Sequence, residues 1–224
     1  MMNQHSRRRV LGTILALAFA PTLSTPVRAI GGSQTQRVMI YGDSLSAAYG
    51  IDPKEGWVNL LQIKLKAEGV TIINSSVSGE TSRGGQSRIK TDLERIKPDV
   101  VVLALGANDG LRGLPIIDTR KSLQAIIDAS IAKKAKVLLI GIQIPPNYGI
   151  DYARQFRELY FDLAKANRLP TPPFLLEGFA DKFDYFQPDR VHPTATAQPI
   201  ILDNVLPGIR AMLKLSRQRT PTKS

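Results

Sequence analysis

The chain has 224 residues, 43% of them hydrophobic, and no internal repeat, which suits one domain with a sizeable core and excludes a repeat array. It contains no cysteine, so disulfides, a thiol nucleophile and a thiolate metal site are excluded together. The formal charge of +11 would suit an anionic surface or substrate. However, the basic residues are scattered along helical faces and in the tail without interleaved aromatics, which reads as a solvated surface and not as a nucleic-acid module.

The chain opens with Arg7, Arg8 and Arg9, an apolar run over residues 10–20 and the small-x-small triplet Val27-Arg28-Ala29. Residues 1–29 therefore read as a signal peptide, and the mature protein as periplasmic or secreted. The apolar run is short for a membrane span, and Pro21 and Pro26 interrupt the residues after it, so no stable span is expected after cleavage. Ser6-Arg7-Arg8-Arg9-Val10-Leu11 fits a twin-arginine signal as well as an ordinary secretory one, and both routes stay open. Cleavage would remove four arginines (Arg7, Arg8, Arg9, Arg28) and no acidic residue, leaving the balance positive.

A domain is expected over 30–215. Val38-Met39-Ile40 reads as a first strand, and the apolar spacing of 57–65 as a helix that stops at Gly69. Residues 70–73 form a short β-branched strand. Residues 82–96 form a helix ended by Lys97-Pro98, and the run 99–105 is apolar enough for a strand covered on both faces. Next come a helix over 118–133, a buried strand over 137–142 and a helix over 152–166. Phe174-Leu175-Leu176 supplies a fifth strand, and a last helix covers about 197–215. Strands alternating with helices predict a parallel sheet with helices on both faces. The tail 216–224 is basic and reads as disordered.

This register places Ser44, Gly79 and Asn108 past the carboxyl ends of successive parallel strands, where open α/β sheets bind ligands. Tyr41-Gly42-Asp43-Ser44-Leu45-Ser46 is a strand running into a turn, so Ser44 is a candidate nucleophile; alone, the same residues also fit a turn with a helix cap. A serine hydroxyl needs a base, and His192 is the one histidine beyond the signal segment. Asp189 stands three residues before it, close enough for one turn to present both groups, the carboxylate orienting the imidazole. Asn108 could donate its amide to an oxyanion, or could simply be a turn residue before Asp109-Gly110.

Taken together, Gly42-Asp43-Ser44-Leu45, Gly79, Gly106-Ala107-Asn108-Asp109 and Asp189-Arg190-Val191-His192 resemble the four blocks of the GDSL, or SGNH, hydrolases. The stretches 108–113, Pro146-Asn147-Tyr148-Gly149 and Ala197-Gln198-Pro199 are similar to the family's periplasmic multifunctional thioesterase and lysophospholipase branch, which includes arylesterases. The resemblance implies a flavodoxin-like three-layer α/β/α fold with a central, mostly parallel five-stranded sheet, no metal and no cofactor. It implies hydrolysis of acyl thioesters, lysophospholipids and aryl or short alkyl esters through an acyl-enzyme. Ser44 would be the nucleophile, His192 the base and Asp189 its partner, with Ser44, Gly79 and Asn108 as the oxyanion hole. We read Leu111, Leu114, Pro146 and Tyr148 as substrate-binding, and the protein as a monomer acting on a small acyl ester or thioester. Two other functions fit the same blocks: a carbohydrate acetylesterase and a noncatalytic acyl-binding protein. The apolar Leu111, Leu114, Ile116 and Ile117 favour acyl chains over sugars. The absence of Gly-x-Ser-x-Gly argues against the α/β-hydrolase fold.

Overall fold

A computed structural model describes residues 35–213, so the expected signal peptide at 1–29 and the basic tail at 216–224 lie outside the described residues. Four strands, β1 (Gln36–Gly42), β2 (Val70–Asn74), β3 (Val100–Ala104) and β4 (Lys136–Leu139), pair in parallel in the order β2-β1-β3-β4. In the centre of the sheet Met39 is paired with Ile73 on one side and Val101 on the other. Residues 38–41 and 100–103 are wholly buried, as strands covered on both faces require.

Parallel neighbours need crossover connections, and helices supply them. They are α1 (Trp57–Lys66), α2 (Ser82–Ile96), α3 (Ala107–Leu111), α4 (Ile116–Ala132), α5 (Ile150–Ala166) and α6 (Gln198–Met212). Helices α1 and α6 pack together over one face, and α2, α4 and α5 over the other. On α5 the buried stripe Phe156, Leu159, Tyr160 and Leu163 keeps the helical period, which is why this segment can cover a sheet while the rest of its surface is charged. Helix α2 begins at Thr81, whose hydroxyl accepts from the Gly84 amide, and ends at Lys97 in the left-handed conformation before Pro98.

One expectation needs correction. The sheet has four strands among the described residues and not five: the 174–176 segment makes one isolated parallel bridge, Phe174 to Gly141. Pro170, Pro172 and Pro173 just before it have no N–H to extend a ladder, and the Pro173 carbonyl takes the Gly141 amide instead. The stretch after β3, which contains the turn dipeptide Asp109-Gly110, is wound into the short helix α3.

The connection into α3 turns on Gly106, whose φ of 118° lies where side chains are strained. A Cβ there would also collide with the hydroxyl of buried Tyr160, which donates to the Leu105 carbonyl at 3.0 Å. Gly106 thus lets α5 press against the end of β3 and aims α3 across the sheet's carboxyl edge. The strand order reverses between β1 and β3, so the ends of these two strands flank the crevice that a doubly wound sheet offers to ligands. Among the described residues no helix is long and apolar enough to cross a membrane.

Candidate active site

Ser44 lies two residues past β1 in a tightly tied turn. The Asp43 carbonyl accepts from the Ser46 and Ala47 amides, and the Asp43 carboxylate accepts from Leu45 N–H at 3.1 Å. Buried Trp57 donates its indole N–H to the Leu45 carbonyl at 3.1 Å, and Asn74 donates to Ser46 O at 2.8 Å. Helix α1 and the end of β2 therefore clamp the turn from both sides, so the serine sits on rigid elements.

The histidine comes from the far end of the chain. Gln187-Pro188-Asp189-Arg190 is a turn with proline in its second place, closed by the Arg190 amide on the Gln187 carbonyl. Asp189 Oδ1 accepts the amides of Val191 and His192, at 2.9 and 3.0 Å, which folds the three-residue spacing into one compact turn. Asp189 Oδ2 then stands 2.7 Å from His192 Nδ1, and His192 Nε2 stands 2.9 Å from Ser44 Oγ. Burial pushes the Asp189 carboxyl upward, but the two amides and the His192 ring outweigh it and hold the group down to about 2. It is therefore ionised wherever the imidazole can work, and the natural tautomer has Nδ1–H facing Asp189 and a bare Nε2 facing Ser44.

Three donors past the carboxyl ends of β1, β2 and β3 stand free. The Ser44 and Gly79 amides have no acceptor among the described residues, and Gly79 has a φ of 78°, the left-handed turn that brings a backbone amide out of the β2 connection. Asn108, on α3, donates one amide hydrogen to Glu80 O at 2.9 Å and has a second to spare. The Arg112 guanidinium donates to Gly79 O at 3.1 Å, so the Gly79 and Glu80 carbonyls are tied to α3 and the residue that follows it.

Behind this edge lies a polar network that the helical pattern conceals. Arg88 of α2 holds Glu80 at 2.8 Å, Asp92 at 2.6 Å and Ser75 at 3.2 Å, and its guanidinium lies 4.2 Å from the centroid of the Tyr41 ring. It thereby joins the ends of β1 and β2 to the segment that carries Gly79. Asp109 accepts from the Ser82 amide and hydroxyl, at 2.8 and 2.5 Å, and from Thr119 at 3.4 Å, joining α3 to α2 and α4. Arg88, Trp57 and Gln187 were not among the residues the sequence pointed to. The one available signal was Arg88's place in register with Asp92 on a helix whose buried stripe runs past it.

Of the four residues expected to bind substrate, Leu111 and Leu114 are half-buried beside Asn108, and the Leu114 carbonyl takes the Tyr152 hydroxyl at 3.0 Å. Pro146 and Tyr148 are exposed on a short 3-10 turn that leads into α5. Tyr152 in the first turn of α5 is thus the link between the two groups. Among the described residues no cluster of three His, Cys, Asp or Glu side chains is set to hold a metal ion.

A parallel α/β/α sheet with a Ser–His–Asp chain of hydrogen bonds at its strand ends has the build of a serine hydrolase. Comparison with known proteins narrows the class. Residues 40–198 match the model of the GDSL-like Lipase/Acylhydrolase family. The chain is 42% identical to Esterase TesA of Pseudomonas aeruginosa over 180 residues, 80% of this chain and 90% of that protein. It is 38% identical to Thioesterase 1/protease 1/lysophospholipase L1 of Escherichia coli K12, covering 74% of this chain and 79% of that one. The solved psychrotrophic esterase EstA from Pseudoalteromonas sp., inhibited by monoethylphosphonate, superposes with a TM-score of 0.75 at 40% identity, over 79% of this chain and 97% of that one. The chain belongs to the GDSL-like lipase/acylhydrolase family, and it is a serine esterase.

Proposed function

We propose that the protein is an exported esterase that cleaves acyl esters and thioesters, lysophospholipids among them, by acyl transfer through Ser44. The observation that carries this reading is the unbroken set of hydrogen bonds from Asp189 through His192 to Ser44 Oγ, at 2.7 and 2.9 Å, beside three uncommitted donors. His192 Nε2 takes the hydroxyl proton as Ser44 Oγ bonds to the carbonyl carbon. The oxygen that gains charge is met by the Ser44 and Gly79 amides and the spare Asn108 hydrogen, donors already oriented before the reaction begins. The carbon–oxygen or carbon–sulfur bond then breaks, and His192 gives its proton to the departing oxygen or sulfur. Water repeats the sequence on the acyl-serine, returning the carboxylic acid and free Ser44. Asp189 keeps its charge throughout and stabilises the imidazolium that forms twice per turnover.

Half-buried Leu111 and Leu114, with Pro146 and Tyr148 across Tyr152, supply apolar surface for the acyl chain. The names of the relatives support esters, thioesters and lysophospholipids as substrates, and the basic, apolar start of the chain supports export.

Ser44→Ala and His192→Ala should each cost several orders of magnitude in kcat/KM on 4-nitrophenyl butyrate and on an acyl thioester, with circular dichroism unchanged. Because groups that act as a unit lose their effect together, the double variant should be scarcely worse than either single one. Losses that multiply would refute the shared role. Separately, the protein recovered outside the cytoplasmic membrane should begin at or near Ile30, and an intact Met1 or Met2 terminus on the soluble cellular protein would count against export.

A further inference from the structure

The Tyr49 side chain takes no part in the hydrogen bonds of the site, yet its ring lies against the His192 imidazole, with centroids 4.4 Å apart and planes tilted by 39°. The residue is 51% exposed, so the ring offers open apolar surface beside His192. Its hydroxyl has no hydrogen-bond partner among the described residues; the hydrogen bonds that fix the residue are made by its backbone. The Tyr49 amide donates to Ser44 O at 3.3 Å, and the Tyr49 carbonyl accepts from Gln187 Nε2 at 2.8 Å. The same Gln187 nitrogen reaches the Pro193 carbonyl at 3.2 Å, and a side chain on the adjacent Gly50 would collide with Gln187. One glutamine thus locks the tyrosine segment to the segment that carries the histidine. A core residue would be covered and a solvated one would be loose, whereas Tyr49 is both fixed and open.

The geometry of acyl transfer says what lies beside it. The group that leaves must bring its oxygen within hydrogen-bond reach of His192 Nε2, about 3 Å, because that nitrogen returns the proton. Whatever is attached to that oxygen therefore lies next to the imidazole on which the Tyr49 ring is packed. The acyl chain departs from the other side of the carbonyl carbon. We infer that Tyr49 is a leaving-group platform, a specificity residue that stacks the planar aromatic alcohol of aryl esters while leaving acyl-chain selection to other residues. The inference rests on the acyl-transfer reading of Ser44 and His192. A fixed, half-open ring can meet a second ring in an offset or tilted stack without ordering anything first, which makes the preference a property of the resting enzyme.

The test uses the mature enzyme and two butyrate esters, phenyl and hexafluoroisopropyl, whose alcohols are similarly acidic but differ in planarity. Tyr49→Leu should lower the ratio of kcat/KM for the phenyl ester to that for the fluoroalkyl ester by roughly 2- to 10-fold, the range expected of one aromatic pair. Tyr49→Phe should keep the ratio. Equal losses on both esters would mean that the ring only steadies His192, and an unchanged ratio would mean that it touches neither alcohol; either result overturns the proposal. With the unmodified enzyme, phenol should inhibit fluoroalkyl ester hydrolysis more strongly than cyclohexanol, and equal inhibition would also overturn it, even if the leucine variant failed to fold. Labelling of wild-type Ser44 by a fluorophosphonate separates the two readings. Labelling with no phenyl preference defeats the platform alone, and loss of labelling in the wild type defeats the acyl-transfer reading beneath it.

Discussion

Asp43 and Asp189 flank the same serine and are driven in opposite directions by their surroundings. The Asp43 side chain is 1% exposed; Oδ1 has the Leu45 amide, while Oδ2 is buried with no partner. Burial pushes its carboxyl up to about 7, helped by the nearby Asp109 and Glu80 charges and opposed by local amides. An acid raised in this way binds its proton more tightly folded than unfolded, so its contribution is complete below the ordinary carboxylate pKa and falls as pH rises toward about 7. Asp43→Asn keeps an acceptor for Leu45 and cannot ionise. Relative to wild type, this variant should therefore gain stability to urea between pH 4 and pH 8, at about 1.4 kcal/mol for each pKa unit by which Asp43 is raised. A difference that is flat with pH would show that Asp43 does not carry a buried titration. Asp189 runs the other way: held down to about 2, its contribution is present above the ordinary carboxylate pKa and is lost only as pH falls through about 2. Its exposed setting makes that contribution small.

At the scale of elements, the proposed mechanism makes α3 and the turn into α4 the connection between the chemistry and the substrate. Asn108 and Leu111 lie on one short helix, and Leu114 comes within three residues of its end, tied by its carbonyl to Tyr152. If Leu114 covers an acyl chain, each methylene it buries adds up to about 0.8 kcal/mol, and longer esters are favoured until the apolar surface ends. Leu114→Ser should flatten the dependence of kcat/KM on acyl length between acetate and decanoate while acetate itself changes little. Equal losses at every length would assign the residue to catalytic geometry. Why this element was hard to foresee is plain from its residues: Ala107–Leu111 holds five positions, too few for a periodic stripe, and Asp109-Gly110 is strong turn chemistry. What winds it is tertiary, namely Asp109 gripping Ser82 and Thr119. The long elements were legible because burial on both faces leaves continuous apolar runs such as Val100–Ala104, and because α2 carries its own start and stop. The missing fifth strand failed for the opposite reason: Phe174-Leu175-Leu176 has strand composition, but the prolines before it cannot donate. The Ser44, Asn108 and Asp189–His192 positions could be read from local chemistry. Tyr49, Trp57 and Gln187 could not, because their partners lie far along the chain.

Taken whole, the molecule is closed by a few very long ties. Ser44 meets His192 across 148 positions, Trp57 takes the Gln198 carboxamide oxygen across 141, and Gln187 reaches Tyr49 across 138. Loops of this length close late, because their entropy is spent before their contacts repay it. The sheet, by contrast, is complete in sequence by Leu139. On dilution from denaturant, the β-sheet signal should therefore recover before both the fluorescence of Trp57, which is tied to Gln198, and esterase activity do. Simultaneous recovery of all three would mean that the late segment folds in one step with the sheet. The order of the chain has a consequence for synthesis as well. A ribosome that has delivered the four described strands has yet to deliver His192, so on the proposed mechanism the half-made protein holds its serine without the group that would arm it, and acyl esters in the compartment of its birth would meet an inert surface until the final fifth of the chain has emerged.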